Sequence, residues 1–157
     1  MALHTRLEHH SLVPQRELAE LIAQSGGDGA VVSFVGLARG TASDGKPVQT
    51  LVLEHHPVMT IKSLEEIGAD ALDRFGVSHV WVVHRAGSVL SGEPIVFAAA
   101  SSPHRRPAFE AADYLMDRLK TDAIFWKREE GPEGSHWIEP TQADRSDRDR
   151  WESGSAD

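Results

Sequence analysis

The order in which apolar runs alternate with amphipathic segments constrains the fold of this chain most strongly. Residues 29–36 form an apolar, β-branched run with glycine at both ends, which is typical of a buried strand. A second predicted strand, at residues 48–56, ends at Pro57. A helix follows at residues 60–75, with Thr60 as its cap and Gly76 as its stop. The pattern further predicts a helix at Pro14–Gln24, a turn region at 86–92, strands at 78–84, 93–100, 123–128 and 136–139, and a helix at about 107–119.

This order predicts an α+β fold with an antiparallel or mixed sheet, in which neighbouring strands pair and helices cover one face. The 157 residues fit a single domain with a short N-terminal helix. We expect that domain to span residues 1–140. Residues 141–157 alternate Asp with Arg and lack a periodic apolar face, so we expect a mobile charged tail unless Trp151 docks on a partner.

Charge and composition exclude several classes of function. The net charge of −8 argues against a general nucleic-acid binder, which needs an excess of basic residues. Residues 101–128 nevertheless hold six Lys or Arg against four Asp or Glu, which suits a small anionic ligand. The absence of cysteine excludes disulfides, thiolate metal sites, a Cys nucleophile and a persulfide-carrying role. No signal-peptide core or membrane-length apolar run occurs, so we expect a soluble cytoplasmic protein.

Two lysines flank an apolar, aromatic segment near the end of the chain. The predicted helix has a core-facing apolar stripe, formed by Phe109, Ala112, Met116 and Leu119. Lys120 follows Met116 by one helical turn and so leaves the helix beside this stripe. Strand alternation places Lys127 on the same face as Phe125. Because burial and a nearby cation both disfavour a charged amine, such lysines are candidates for proton transfer or for holding an anion. The alternative is a pair of surface lysines that extend past a core strand.

A second group of cations, His104, Arg105 and Arg106, precedes the same helix. Free backbone N–H groups and the helix dipole favour an anion at a helix start, and a guanidinium adds a forked clamp for phosphate or carboxylate. The alternative is that these cations neutralise Glu110 and Asp113 in the first turns.

The helix separates these cations from Lys120. About 13 helical residues put the two groups roughly 20 Å apart, too far for one small ligand. Either the two groups serve different parts of the ligand and partner, or one end of the helix contributes to the second subunit's site. We favour the second arrangement, a two-fold dimer with composite sites. Arg39, in a loop with glycines after the first buried strand, is a weaker candidate for binding.

The histidines do not form a recognisable metal motif. Adjacent His55 and His56 point to opposite faces of a strand, and neither H-E-x-x-H nor H-x-x-E-H occurs. Hydrolase and nucleotide signatures are also missing from the sequence. We expect no metal and no bound cofactor.

Several of these segments, taken in order, resemble the large, catalytic subunit of molybdopterin synthase. The resemblance spans about residues 28–139. The matching segments are residues 28–36 with Arg39; 53–57 followed by Met59 and Thr60; 83–87; 102–105 before 108–111; and Met116 through Lys120 to 125–129.

The resemblance implies a fold of the α/β-hammerhead type, a homodimer core and a heterotetramer with a small ubiquitin-like carrier. It implies that the carrier's C-terminal Gly-Gly thiocarboxylate delivers sulfur to the active site. The implied reaction converts cyclic pyranopterin monophosphate into molybdopterin by forming its dithiolene. A competing hypothesis from the residues is a non-enzymatic dimeric module that binds a small anion or a partner's C-terminal carboxylate.

The resemblance also assigns site residues. Lys120 and Lys127 match the essential lysines. Phe34 and Met116 match the pocket wall, and the implied substrate contacts are Lys120, Lys127, Leu37, Ala38, Arg39, His104, Arg105, Arg128 and Glu129. Some family members supply a further arginine just after the last strand. This chain has Thr141 nearby and its next arginine is Arg145, so we expect no such contact.

Overall fold

The computed structural model describes residues 2–153, which contain eight strands and four helices. In chain order these are β1 (Ala2–Glu8), α1 (Pro14–Gln24), β2 (Ala30–Leu37), β3 (Thr50–His55), α2 (Met59–Phe75), β4 (His79–Arg85), β5 (Gly87–Leu90), β6 (Pro94–Ser102), α3 (Arg105–Thr121), β7 (Phe125–Gly131), β8 (Gly134–Ile138) and α4 (Gln142–Ser153). None of these helices is long and apolar enough to cross a membrane.

The strands form two four-stranded sheets. The first has the order β1-β4-β6-β2, with β1 parallel to β4 and the other pairs antiparallel. The second has the order β5-β3-β7-β8 and is antiparallel throughout. Consecutive strands β2 and β3 therefore lie in different sheets, so the expectation that neighbouring strands pair is wrong at this point.

The first sheet is covered on both faces because β4 alternates its side chains between two cores. Val80 and Val82 pack with α2 and α3, where Leu115 is fully buried. Trp81 packs on the other face with Leu21 of α1. The prediction that helices cover one face is thus wrong for α1. A third core, which includes Leu51, Leu53 and Val89, lies against the second sheet.

Small residues bring α3 close to the first sheet. Ala108, Ala111 and Leu115 are completely buried, and Ala112 is 6% exposed. The predicted stripe placed Phe109 in the core, but that ring is 56% exposed. The prediction is wrong at Phe109 because the alanine before it, about 100° around the helix, is the residue that faces the sheet.

The predicted α+β fold is confirmed, with three elements that the sequence pattern missed. These are β1, which pairs along β4; β5, which lies in the predicted turn region; and α4, which lies in the predicted tail. Helix α4 contacts α3, and Trp151 packs edge-on against Phe75 (5.6 Å) and Tyr114 (5.4 Å) of its own chain. The boundary at residue 140 and the mobility of the tail stay predictions.

Candidate active site

The two candidate lysines come from the end of α3 and the start of β7. Lys120 is exposed in the last turn of the helix, whereas Lys127 on β7 is half-buried. Arg118 fixes this end of α3, because its guanidinium donates to the carboxylate of Asp122 and, at 3.0 Å, to that of Asp70. Residues 122–124 connect the two elements, so the lysines lie on either side of one short turn.

Two hydroxyl groups of α2 hold this turn in place. The Thr60 hydroxyl donates to the carbonyl of Ile124 (2.6 Å), and the N–H of Ile124 donates to Ser63 Oγ (3.0 Å). Thr60 is therefore not the helix cap that the sequence suggested. Helix α2 begins one residue earlier, with Val58 as its N-cap residue, and His56 Nδ1 accepts from the N–H of Met59 (3.0 Å).

The surroundings of Lys127 disfavour its charged form. Burial is the largest cause and lowers the pKa of Lys127. The charge of Lys120 lowers it further, whereas the carboxylate of Asp144 raises it. Within residues 2–153, neither lysine amine has a hydrogen bond or a carboxylate within 4.0 Å. The structure thus brings Lys120 and Lys127 together and leaves both amines available.

A buried histidine of β4 packs against the face of β7 that carries Phe125 and Lys127. His84 is 4% exposed and stacks on the Phe125 ring at 4.1 Å. Burial lowers the pKa of His84 to about 4; the carbonyl of Arg85, 2.8 Å from Nδ1, opposes this shift, and the Lys127 charge adds to it. His84 is therefore neutral near pH 7 and adds no positive charge beside Lys127.

Arg128 and Glu129 both have partners within the second sheet. Arg128 pairs with Glu54 (3.2 Å) and Glu130 (3.0 Å) and lies over the Trp137 ring at 5.1 Å. Glu129 is 3.1 Å from the ring nitrogen of His136. Their expected role as substrate contacts stays a prediction, and a ligand would have to compete with these partners.

The cations predicted at the start of α3, His104 and Arg105, lie far from Lys120 within one chain. Arg105 begins α3 and His104 is its N-cap residue; both are exposed. Lys120 lies fifteen positions after Arg105 along the helix, which corresponds to a distance of about 22 Å. The structure of one chain does not bring them together.

The remaining predicted site residues lie in the edge strand β2, in the loop that follows it, or on α3. Phe34 and Leu37 are 42% and 55% exposed, whereas Ala38 is 4% exposed. Arg39 is exposed in the loop after β2, and Met116 is half-buried against the α2–α3 core. Their assignment to substrate stays a prediction. A hollow beside the β7–β8 hairpin is lined by Glu129 among others, but not by either lysine.

Sequence reasoning missed His84 and Asp144 as neighbours of the lysine pair. His84 gave no local signal, because only tertiary packing buries it. Asp144 follows Thr141 by three residues, a spacing typical of a capping box, which was readable from the sequence. In the described part of the chain, no group of three or more His, Asp or Glu side chains could hold a metal ion.

Comparison with known proteins identifies the family of this chain. Residues 7–122 match the family described as MoaE protein. A molybdopterin synthase catalytic subunit from Caulobacter vibrioides is 52% identical over 124 residues, which cover 79% of this chain and 81% of that protein. One from Pseudomonas aeruginosa is 44% identical over 147 residues, which cover 94% and 97%.

Solved structures share the fold. A molybdopterin biosynthesis MoaE protein from Burkholderia ambifaria superposes with a TM-score of 0.81 at 37% identity, covering 97% of this chain and 99% of that one. Molybdopterin synthase from Staphylococcus aureus gives a TM-score of 0.75 at 29% identity, covering 84% and 94%.

The fold and the relatives together define an enzyme subunit of the molybdopterin synthase type. The chain belongs to the MoaE protein family. The resemblance noted from the sequence motifs is thereby confirmed.

Proposed function

We propose that this chain transfers sulfur from the C-terminal thiocarboxylate of a small ubiquitin-like carrier to cyclic pyranopterin monophosphate, forming the dithiolene of molybdopterin. The single observation that supports this most is the lysine pair: two neighbouring amines that have no ion-pair partner within residues 2–153, one of them half-buried with a lowered pKa. Both reactants are anionic, since one carries a thiocarboxylate and the other a phosphate. Because the chain has no cysteine, the sulfur has to arrive on another molecule.

The two lysines are suited to different parts of this reaction. Lys120 is exposed at the helix end, where it can meet an incoming C-terminus and exchange protons with it. Lys127 lies deeper, where a cation is worth more because less water screens it, and there it stabilises negative charge on substrate and intermediates. Arg39 would assist from the loop after β2.

We further propose that the site is completed by a second copy of the chain and by the carrier. The relatives are named as catalytic subunits, which implies a further subunit in those enzymes. A separation of about 22 Å between Arg105 and Lys120 suits a two-fold dimer in which His104 and Arg105 reach the neighbouring site.

The test of this function is direct conversion. The protein is mixed with a thiocarboxylated carrier and the cyclic pterin, and dithiolene formation is followed. Lys120→Ala should abolish product while leaving carrier binding and the circular dichroism spectrum unchanged. Lys62→Ala, which removes an exposed lysine of α2, is the matched control and should retain turnover. Near-normal turnover by Lys120→Ala would refute the assignment, and binding without conversion by the unaltered protein would favour the binding-module hypothesis.

Mixed dimers test the composite site. Lys120→Ala and Arg105→Ala chains are unfolded and refolded together. If each site takes Lys120 from one chain and Arg105 from the other, a mixed dimer keeps one intact site, and random pairing restores about a quarter of the wild-type rate. If both residues serve the same chain's site, the mixture stays as inactive as the separate variants.

A further inference from the structure

The start of α4 holds a carboxylate in a fixed position. The N–H of Thr141 donates to Asp144 Oδ2 (2.9 Å), and the N–H of Asp144 donates to Thr141 Oγ1 (3.1 Å). This reciprocal pair satisfies backbone donors at the helix start and restricts the rotamers of Asp144. The carboxylate is half-buried, so less water screens its charge than on an open surface.

Contacts farther along α4 fix its direction relative to α3. Arg148 Nε lies 3.2 Å from the carboxylate of Asp122, just beyond the end of α3. Two and three residues later, Arg150 and the indole N–H of Trp151 bond to Asp117, at 2.8 and 2.6 Å, one turn back along α3. The two helices therefore run antiparallel, and the start of α4 lies at the end of α3 that holds Lys120.

The second sheet leads the chain to the same place. Lys127 is the cross-strand partner of Ile138, and Thr141 follows Ile138 by three residues. Asp144 consequently lies near Lys127 through the β7–β8 pair and near Lys120 through the α3–α4 contact. Its carboxylate is not within 4.0 Å of either amine, so it acts on both lysines through space without tying up their donors.

We propose that Asp144 is a positioning residue for the lysine pair: held by the capping box of α4, its carboxylate keeps the Lys127 ammonium charged before an anionic reactant arrives. The catalytic part of this inference rests on the proposed function. The charged groups that act on Lys127 are Lys120 from α3 and Asp144 from α4. The titratable His84 from β4 is neutral near pH 7, and the charge of Lys127 helps to keep it so.

The direction of the effect follows from these charges. Burial alone would raise the pKa of Asp144, but the Thr141 hydrogen bonds and the charges of Lys120 and Lys127 lower it, so the carboxylate is ionised near neutral pH. Removing that charge leaves Lys127 with burial and Lys120, both of which lower its pKa. The ammonium form would then be lost at a lower pH.

The test measures the lysines directly and needs no turnover. Protein with isotope-labelled lysine side chains is titrated with base, and the lysine resonances are followed by NMR. The Lys120→Arg and Lys127→Arg variants assign these resonances. In Asp144→Asn the Lys127 midpoint should shift to lower pH, and in Asp144→Glu most of the wild-type value should be retained. Asn still accepts the Thr141 hydrogen bond, and circular dichroism confirms that α4 persists.

A matched control is available on the same helix. Asp149 is exposed and lies about 140° around α4 from Asp144, so Asp149→Asn removes the same charge from the outer side and should leave the Lys127 midpoint unchanged. A midpoint in Asp144→Asn that coincides with the wild-type one, or an equal shift in Asp149→Asn, would overturn the proposal.

A second readout concerns the reaction. With carrier and cyclic pterin, the alkaline limb of the rate–pH profile should shift to lower pH in Asp144→Asn, in step with the NMR midpoint. A shifted midpoint with an unshifted limb would overturn the positioning role. If the unaltered protein forms no dithiolene, the proposed function fails, and the NMR titration alone still decides whether Asp144 controls Lys127.

Discussion

The buried His84 makes the stability of this protein sensitive to mild acid. The ring is 4% exposed, and burial lowers its pKa to about 4 despite the bond between Nδ1 and the carbonyl of Arg85. In the unfolded chain the same ring titrates near its ordinary value of about 6.5. As the pH falls below that value, the unfolded state binds a proton that the folded state does not, so stability is lost as the medium becomes more acidic.

The size of the effect follows from the difference between the two pKa values. The loss begins near the unfolded value, continues down to about pH 4 and is complete below it. Between pH 7.5 and pH 5 this one group should reduce the free energy of unfolding by about 2 kcal/mol. That is a large part of the typical stability of a domain of this size.

Urea unfolding of wild type and His84→Asn at the two pH values measures this contribution. Asn places an amide donor near the position of Nδ1, so the bond to Arg85 can persist, although the stacking on Phe125 is lost and absolute stability falls. The informative quantity is the change between pH 7.5 and pH 5, which should be about 2 kcal/mol smaller in the variant. His10→Asn, which changes an exposed histidine, should keep the wild-type pH dependence. Parallel pH profiles for wild type and His84→Asn would refute the reasoning.

Two further substitutions test how the site is supported. Trp151→Ala removes a half-buried ring that packs on Tyr114 (5.4 Å). It should lower the free energy of unfolding by about 2–3 kcal/mol, measured as a lower urea midpoint at unchanged slope. A loss below about 0.5 kcal/mol would mean that this ring does not hold α4 in place. Gly29→Ala would place a Cβ 2.7 Å from the carbonyl oxygen of Pro103 and displace the segment before His104. We expect a lower melting temperature and a raised KM for the cyclic pterin, and an unchanged KM would separate that segment from substrate binding.

Local signals explain which elements the sequence could predict. Helix α1 begins at Pro14 and ends at Gln24 as predicted, because the proline and the following glycines mark both ends. Helix α2 ends before Gly76, whose φ of 61° suits glycine. Such signals depend on residues within one turn, so a single sequence reveals them.

The missed elements depend on distant partners. Strand β1 has few apolar residues, and it is held by parallel pairing with β4, by stacking of His4 on Trp81 at 3.9 Å and by packing of Leu3 and Leu7 against the core below α2 and α3. Helix α4 is polar on most of its surface, and its main apolar anchor is Trp151. Both elements have too few apolar residues to give the clear periodic pattern on which sequence prediction depends.

In the candidate site, too, the features set by local spacing could be predicted and those set by distant residues could not. Helical spacing from Met116 and strand alternation from Phe125 were sufficient to predict that Lys120 and Lys127 are neighbours. The groups that hold and tune the pair come from elsewhere in the chain. Thr60, for example, reaches the turn between the lysines from 64 residues away, and no local pattern indicates such a contact.

The distribution of cation types explains how an acidic protein keeps a cationic site. Arginines pair with the aspartates around the end of α3: Arg118 with Asp122, and Arg150 with Asp113 and Asp117. These carboxylates are therefore satisfied by guanidinium groups, whose planar fork suits them and which do not lose their proton. Among the described residues, no carboxylate lies within 4.0 Å of either lysine amine, and an ammonium group changes its pKa readily when it is partly buried. Because the arginines occupy the aspartates on α3 and just after it, a net charge of −8 and a pair of neighbouring lysines are compatible in one small domain.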